Sequence, residues 1–241
     1  MLLLISSLLL MSCGADKYMK KGEKFLALGE YYDAADQFKQ AYTRTPAKER
    51  DTRGKRALKM AQCYQRINAT PKAIAAYRNA IRYNQASKED QLTYARLLLK
   101  NGDYRQAEKV FMMLKDSMPG NQLVANGLKS AQMAPEWKKQ GSRYIVKRMD
   151  VFNSRRHDYS PVLFGDDYDQ LYFTSTRNEA LGDELSGITG TKAGDIFLSE
   201  KDDRGKWSKP EAIGTGLNTD YDEGACCFTP DGREMYLTQC I

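Results

Sequence analysis

The chain has 241 residues, which is room for two domains that each bury a core. Its 37 Lys and Arg against 31 Asp and Glu give a net charge of +6, but the charge is split: residues 1–143 carry 26 basic and 13 acidic side chains, residues 144–241 carry 11 and 18. One histidine and five cysteines with no Cys-x-x-Cys pair exclude the ordinary zinc sites. The basic residues are scattered rather than run together with aromatics, so nucleic acid is not an expected partner.

Residues 2–11 are apolar except for Ser6 and Ser7. The run is too short to span a bilayer and has the length of a signal-peptide core. It ends in Leu10-Met11-Ser12-Cys13-Gly14, which resembles a bacterial lipobox. The resemblance implies a signal peptide over 1–12, cleavage before Cys13, lipid attachment at Cys13 and a tether over 13–17. Several acyl chains on one residue hold firmly where one would be marginal. No Lys or Arg precedes Cys13, which leaves open a true start upstream of Met1. Gly14-Ala15-Asp16-Lys17 lacks the acidic run that resembles a surface-export signal, so a periplasm-facing anchor is expected.

From residue 18 to about 140 apolar and small residues recur at three and four, the helical period. The stretch Gly102-Asp103-Tyr104-Arg105-Gln106-Ala107-Glu108-Lys109-Val110-Phe111 repeats Gly29-Glu30-Tyr31-Tyr32-Asp33-Ala34-Ala35-Asp36-Gln37-Phe38. A looser copy is Asn68-Ala69-Thr70-Pro71-Lys72-Ala73-Ile74-Ala75-Ala76-Tyr77, in which Thr70 is read as a helix cap and Pro71 as a first-turn residue. Ala73 to Ala107 is one step of the repeat, and Ala34 to Ala73 is the same step lengthened by an insertion of five between the first two hairpins. The step and its residues resemble the tetratricopeptide family in three repeats, closed by a terminal helix over 121–138. The resemblance implies an α-solenoid whose first helices line a concave groove. In that frame the groove positions are Glu23, Leu26, Leu58, Gln62, Gln65, Arg66, Leu92, Arg96, Leu99 and Lys100. Gln62, Gln65, Arg66, Arg96 and Lys100 are the candidate partner-binding residues, suited to an extended peptide or a partner helix.

Around Gly141 the pattern changes to short β runs between Gly, Asp and Asn. Residues 164–174 recur without a gap as residues 228–238, each with Phe at its head and Tyr-x-Thr at its end. Asp231-Gly232 reads as a two-residue hairpin turn that sets Phe228 opposite Met235 and Cys226 opposite Leu237. The order Ser160-Pro161, Leu171 to Ser175, Asp195 to Phe197, Trp207 to Pro210, Leu217 to Thr219 and Glu223-Gly224 is similar to the WD40-like β-propeller repeat of the TolB type. It implies about one and a half four-stranded blades over 141–241, an incomplete propeller and hence part of a longer protein.

No constellation for catalysis is present, so no enzyme activity, catalytic residue or cofactor is expected. His157 lies among Arg155, Arg156 and Asp158 and reads as a loop residue; the Asp clusters at 166–169, 202–203 and 220–223 read as turns rather than a metal site. Cys63 reads as a buried helix residue; a disulfide from Cys240 to Cys226 or Cys227 is left open.

The fold class is therefore α + β multidomain, with boundaries at 18–140 for the helical domain and 141–241 for the β domain. Lipobox, tetratricopeptide repeats and TolB-like blades in this order resemble the PorE-type lipoproteins of the type IX secretion system of Bacteroidota. The resemblance implies a non-catalytic, outer-membrane-anchored scaffold facing the periplasm, whose partners are other envelope or secretion-system proteins. Peptidoglycan would be met only through a family domain that is not in this sequence. The alternative is a periplasmic lipoprotein that binds a solute or glycan through its propeller.

Overall fold

A computed structural model describes residues 2–214 and 216–240, with side chains from Gly14 onward. The side chain of Cys13, the expected lipid-attachment residue, lies outside the described residues, as do those of 2–12. The chain divides into two compact units, Met1–Arg143 with Gly187–Thr189, and Tyr144–Ser186 with Gly190–Ile241.

Among the described residues the first unit has seven helices: α1 (Leu2–Ala27), α2 (Tyr31–Arg44), α3 (Arg50–Arg66), α4 (Thr70–Arg82), α5 (Lys88–Lys100), α6 (Tyr104–Ser117) and α7 (Gln122–Gln140). Each packs on the next in sequence, as expected of a solenoid. α1 takes in the segment read as a tether: Ala15 is buried, and Asp16 pairs with the buried guanidinium of Arg56. No described helix is long and apolar enough to cross a membrane.

Three hairpins turn in the same way. Gly29, Asn68 and Gly102 have φ of 80°, 59° and 84°. After each, the next amide reaches back to the helix it has left: Glu30 N to Phe25 O, Ala69 N to Tyr64 O and Asp103 N to Leu98 O, all at 2.9 Å. A left-handed residue lets the chain satisfy carbonyls that would otherwise be orphaned at the helix end. Asparagine is the residue other than glycine that best tolerates this conformation, so the looser copy keeps the turn. Thr70 does not cap α4: the N-cap is Ala69, with no side-chain bond, and Thr70 opens the helix with Pro71 beside it.

Behind the turns the equivalent residues Ala34, Ala73 and Ala107 are fully buried, as are Phe38, Tyr77 and Phe111. Rings and small residues interlock across helices. A Cβ added at Gly22 would fall 2.7 Å from the Phe38 ring, and one at Gly127 would fall inside contact distance of the Phe111 ring. The terminal helix opens at Asn121, whose side chain accepts from the amides of Leu123 and Val124.

The second unit has an antiparallel sheet in the order β1-β2-β3-β4, from β1 (Asp158–Phe164), β2 (Gln170–Ser175), β3 (Asp195–Glu200) and β4 (Glu211–Ala212). A two-stranded sheet follows, β5 (Glu223–Phe228) with β6 (Met235–Gln239). The expected pairs Phe228 with Met235 and Cys226 with Leu237 are present. The turn is longer than the two residues expected: residues 229–232 form a β-turn, closed by Gly232 N to Thr229 O at 2.9 Å, and only Gly232 takes positive φ. Cys63, Cys226, Cys227 and Cys240 are free thiols. β1 bulges at Ser160 and Pro161; a proline fits there because an edge strand can spare an N–H.

Leu171, Phe173, Ala180 and Phe197 form the apolar centre, with Phe152 and Trp207 against it. Polar side chains brace the loops around it. Asn218 accepts from Ile196 N at 2.9 Å and donates to Ile196 O and Ile213 O at 3.0 and 3.1 Å. Buried Glu223 accepts from Thr219 N, Thr219 Oγ1 and Gln239 Nε2 at 2.9, 2.7 and 3.1 Å. Asp158 accepts from Ser154 N, Ser154 Oγ, Ser175 Oγ and Arg177 Nη2 at 2.6, 2.9, 2.7 and 2.8 Å. Burial pushes the Asp158 carboxyl upward, but these bonds outweigh it and hold the group below its usual value.

Gly102→Val should cost about 1–2 kcal/mol in urea unfolding, because a β-branched residue must then hold the left-handed conformation, whereas Asn68→Gly should cost close to nothing. The stabilisation carried by Asp158 should be complete above the ordinary carboxylate range and fade as pH falls through its lowered value. The advantage of the wild type over Asp158→Asn in urea unfolding should therefore shrink below about pH 4. Arg177→Met, which strands a buried carboxylate, should cost about 3–5 kcal/mol at neutral pH.

Candidate protein-interaction groove

The helical unit has an open groove of about 390 Å³ lined from α1, α3 and α5, with Tyr31 and Tyr77 from the second helices. Gln62, Gln65 and Arg66 of α3 stand in it together, one turn apart on the helix face that the core does not claim. Leu26 supplies the apolar end. Glu89, Asp90 and Thr93 face them from the first turns of α5.

The groove is held by its own bonds. Gln62 Nε2 donates to Asp90 Oδ1 at 3.3 Å, and Tyr77 OH donates to Gln65 Oε1 at 2.8 Å. Asp90 is fixed in turn by a capping box with Ser87, each side chain meeting the other residue's backbone amide. The Arg66 guanidinium lies 5.7 Å over the Tyr31 ring. The groove thus presents a cation at one side, two carboxylates at the other and amide donors between them. Burial, with smaller contributions from Asp90 and Cys63, pushes the Tyr77 phenol up, so it stays a donor at neutral pH. Cys63 at the floor is pushed up to about 11 by burial, against a small opposing effect of Lys59, so it is a neutral thiol rather than a nucleophile.

Of the five residues singled out in the sequence, Gln62, Gln65 and Arg66 line this groove; Arg96 and Lys100 do not. Lys100 reaches back to the turn residue Asn68, and Arg96 is exposed on α5. The leucines expected on the groove face behave differently from one another. Leu26 lines it, Leu92 is buried in the core, and Leu58 and Leu99 pack against that core. Sequence reasoning missed Glu89, Asp90 and Thr93. The signal was there: Glu89, Thr93, Arg96 and Lys100 form one stripe at helical spacing. The repeat frame makes Arg96 the counterpart of Gln62, but across the stack Gln62 meets Asp90, which comes earlier in α5. The groove therefore uses the earlier half of α5.

In the β unit Asp202 holds its own turn, and Asp222 ties two separate segments together. Asp202 accepts from the amides of Arg204 and Lys206 at 3.0 and 2.9 Å, and Asp222 accepts from Gly194 N at 2.7 Å. Among the described residues no group of three His, Cys, Asp or Glu side chains is placed to hold a metal ion. His157 is exposed, and its backbone pairs with Thr176.

Residues 68–131 match the family model of the tetratricopeptide repeat. No curated protein matches the chain. Among solved structures the chain is similar to the C-terminal tetratricopeptide domain of a Plasmodium falciparum protein assigned as FK506-binding, at 15% identity and a TM-score of 0.45, over 54% of this chain and 94% of that one. It is similar to the first tetratricopeptide domain of Spaghetti (RPAP3) bound to an HSP90 peptide, at 18% identity and 0.41, over 52% and 95%. It is also similar to the Sgt2 tetratricopeptide domain of Aspergillus fumigatus, at 19% and 0.40, over 56% and 88%.

The thiol chemistry is open to a direct check. Iodoacetamide at mildly alkaline pH should label exposed Cys227 and Cys240 and leave Cys63 unmodified until the helical unit is unfolded, as read by mass spectrometry of tryptic peptides.

Proposed function

We propose that the protein is a non-catalytic scaffold that docks an extended segment of a partner protein in the groove of its tetratricopeptide repeats. The observation that carries this reading is the convergence of Gln62, Gln65 and Arg66 with Glu89 and Asp90 around one open groove. Amide donors read a peptide backbone, and flanking charges of both signs select its side chains. The carboxylates and the guanidinium there are either exposed or already hydrogen-bonded within the fold, and the buried thiol is neutral, which favours recognition over chemistry.

The setting of this scaffold is inferred from the sequence. The apolar run at 2–11 and the Cys13-Gly14 junction support a lipid anchor at Cys13, and with it a place at the outer membrane facing the periplasm. The β unit, with a four-stranded meander and an internal similarity between 164–174 and 228–238, supports a TolB-type propeller. Together they favour an envelope assembly of the type IX secretion kind, in which the helical unit holds one component.

The groove is tested with a photo-crosslinking residue at position 62 or 66 of the full chain in its native membrane, compared with one at Lys129 on α7. A single protein band crosslinked from positions 62 and 66 only is expected, and Arg66→Glu should reduce its yield by about tenfold, a loss of about 1.4 kcal/mol. Equal crosslinking from Lys129 would refute the groove. Palmitate that labels the wild type and the Cys13→Ala variant alike would refute the anchor.

A further inference from the structure

The insertion of five between the first two hairpins has a structural address. α3 has 17 residues and its counterpart α5 has 13. Their last residues, Arg66 and Lys100, are one repeat step apart, so Lys88 at the start of α5 corresponds to Gly54. Residues 50–53 are therefore an added turn, and its sequence is Arg50-Asp51-Thr52-Arg53.

That turn meets the end of α4. Gly54 is buried, and a Cβ there would fall 2.7 Å from Cβ of Tyr83 and into the side chain of Gln85, so the glycine allows Tyr83 to close on α3. Arg50 lies 5.6 Å and Arg82 4.9 Å from the centroid of the Tyr83 ring. Arg82 also donates to the Tyr83 hydroxyl at 3.1 Å. Arg53 forms the inner wall, stacked 4.3 Å over Tyr42 and donating to Thr45 O at 2.6 Å, while its Nε is buried with no partner among the described residues. The effect of burial on Tyr83 is outweighed by hydrogen bonds from Arg53 and Arg82, so the phenol lies below its usual value.

Three guanidinium groups converge here, and among the described residues none is paired with a carboxylate. Asp51, in the same added turn, accepts from the Gln85 amide at 3.5 Å. Like charges gathered without a counter-charge repel, and the planar fork of arginine suits a tetrahedral oxyanion. Arg50 and Arg82 are exposed; one Arg82 nitrogen is held by Asn79 Oδ1 at 3.0 Å and the Tyr83 hydroxyl at 3.1 Å, and neither guanidinium meets a carboxylate among the described residues. We infer that Arg50, Arg53 and Arg82, gathered round Tyr83, form a binding site for a phosphate group. The site does not overlap the groove, whose lining contains none of these four residues.

Free phosphate and an anionic lipid headgroup offer the same chemistry, and the test separates them. The full chain is titrated with sodium phosphate at ionic strength held constant by chloride, reading the melting temperature. In parallel it is co-sedimented with vesicles of phosphatidylglycerol diluted in phosphatidylcholine. At least one probe should bind, and Arg50→Gln with Arg82→Gln should weaken that binding by about tenfold or more, the loss of one charge-assisted bond or two. Tyr83→Phe, which leaves the ring in place, guards against misfolding of the double variant and should weaken it by a smaller factor. Arg105→Gln, on α6, should change nothing. A phosphate response lost in the variants assigns free phosphate; vesicle binding lost without a phosphate response assigns the headgroup. Failure of both probes, or binding that the variants leave unchanged, would overturn the site.

Discussion

At the foot of three hairpins one residue holds the left-handed conformation, and the amide after it closes on a carbonyl of the preceding helix. This hydrogen-bonded reversal decides more than a turn. It ends one helix and leaves a single residue after the left-handed one before the next begins, so the two helices of a hairpin must lie close and antiparallel. Close helices then require small residues where they cross. Ala34, Ala73 and Ala107 stand one turn into the second helices for that reason, and Phe38, Tyr77 and Phe111 follow a turn later to fill the space that remains. The groove is what is left on the other face. Gln62, Gln65 and Arg66 are outward only because Cys63, Tyr64 and Ala61 are turned inward by the same packing.

Much of this is readable in the sequence, because the turn and the crossing each demand a residue type at a fixed offset. Gly29 and Gly102 announce the turn, Asn68 is the polar substitute in the middle hairpin, and the alanines and rings count out the helical period. Thr70 misleads, since a threonine before a proline is a good cap in isolation, while here the backbone has already closed through Ala69. The groove is readable by halves. The repeat frame puts Gln62, Gln65 and Arg66 on the groove lining, whereas the α5 residues that line it, Glu89, Asp90 and Thr93, come earlier than Arg96 and Lys100, because the contact between neighbouring hairpins depends on how far one is slid along the other. Sliding is a property of packing, set by the shapes of Leu92, Tyr94 and Leu98 against α3 and α4, and no local offset encodes it. For the same reason the meeting of Arg50 and Arg82, from separate helices, has no signature in the chain beyond the presence of an insertion.

In the β unit the residues that make the pattern recognisable act as joints. Asn218 spends its whole amide on the backbone of Ile196 and Ile213, and Glu223 ties the Thr219 corner to the far end of β6. Asp158 gathers two serines and an arginine at the start of the sheet. Such groups look catalytic in composition, but their lone pairs are already occupied, and a satisfied carboxylate anchors a loop rather than attacking a substrate. Asp195 is the contrasting case. Burial raises it, the Leu181 amide partly offsets this, and its second oxygen has no partner among the described residues.

Phe164 and Phe228 head the two copies of one sequence segment, and their rings stack on each other at 4.1 Å. A duplicated segment usually drifts at its leisure, each copy answering to its own surroundings. Here the surroundings of one copy include the other. A change of ring size at either position is felt directly by the other copy and by Tyr172, which packs against both rings. The two copies thus meet at their heads, and each forms part of the other's packing environment.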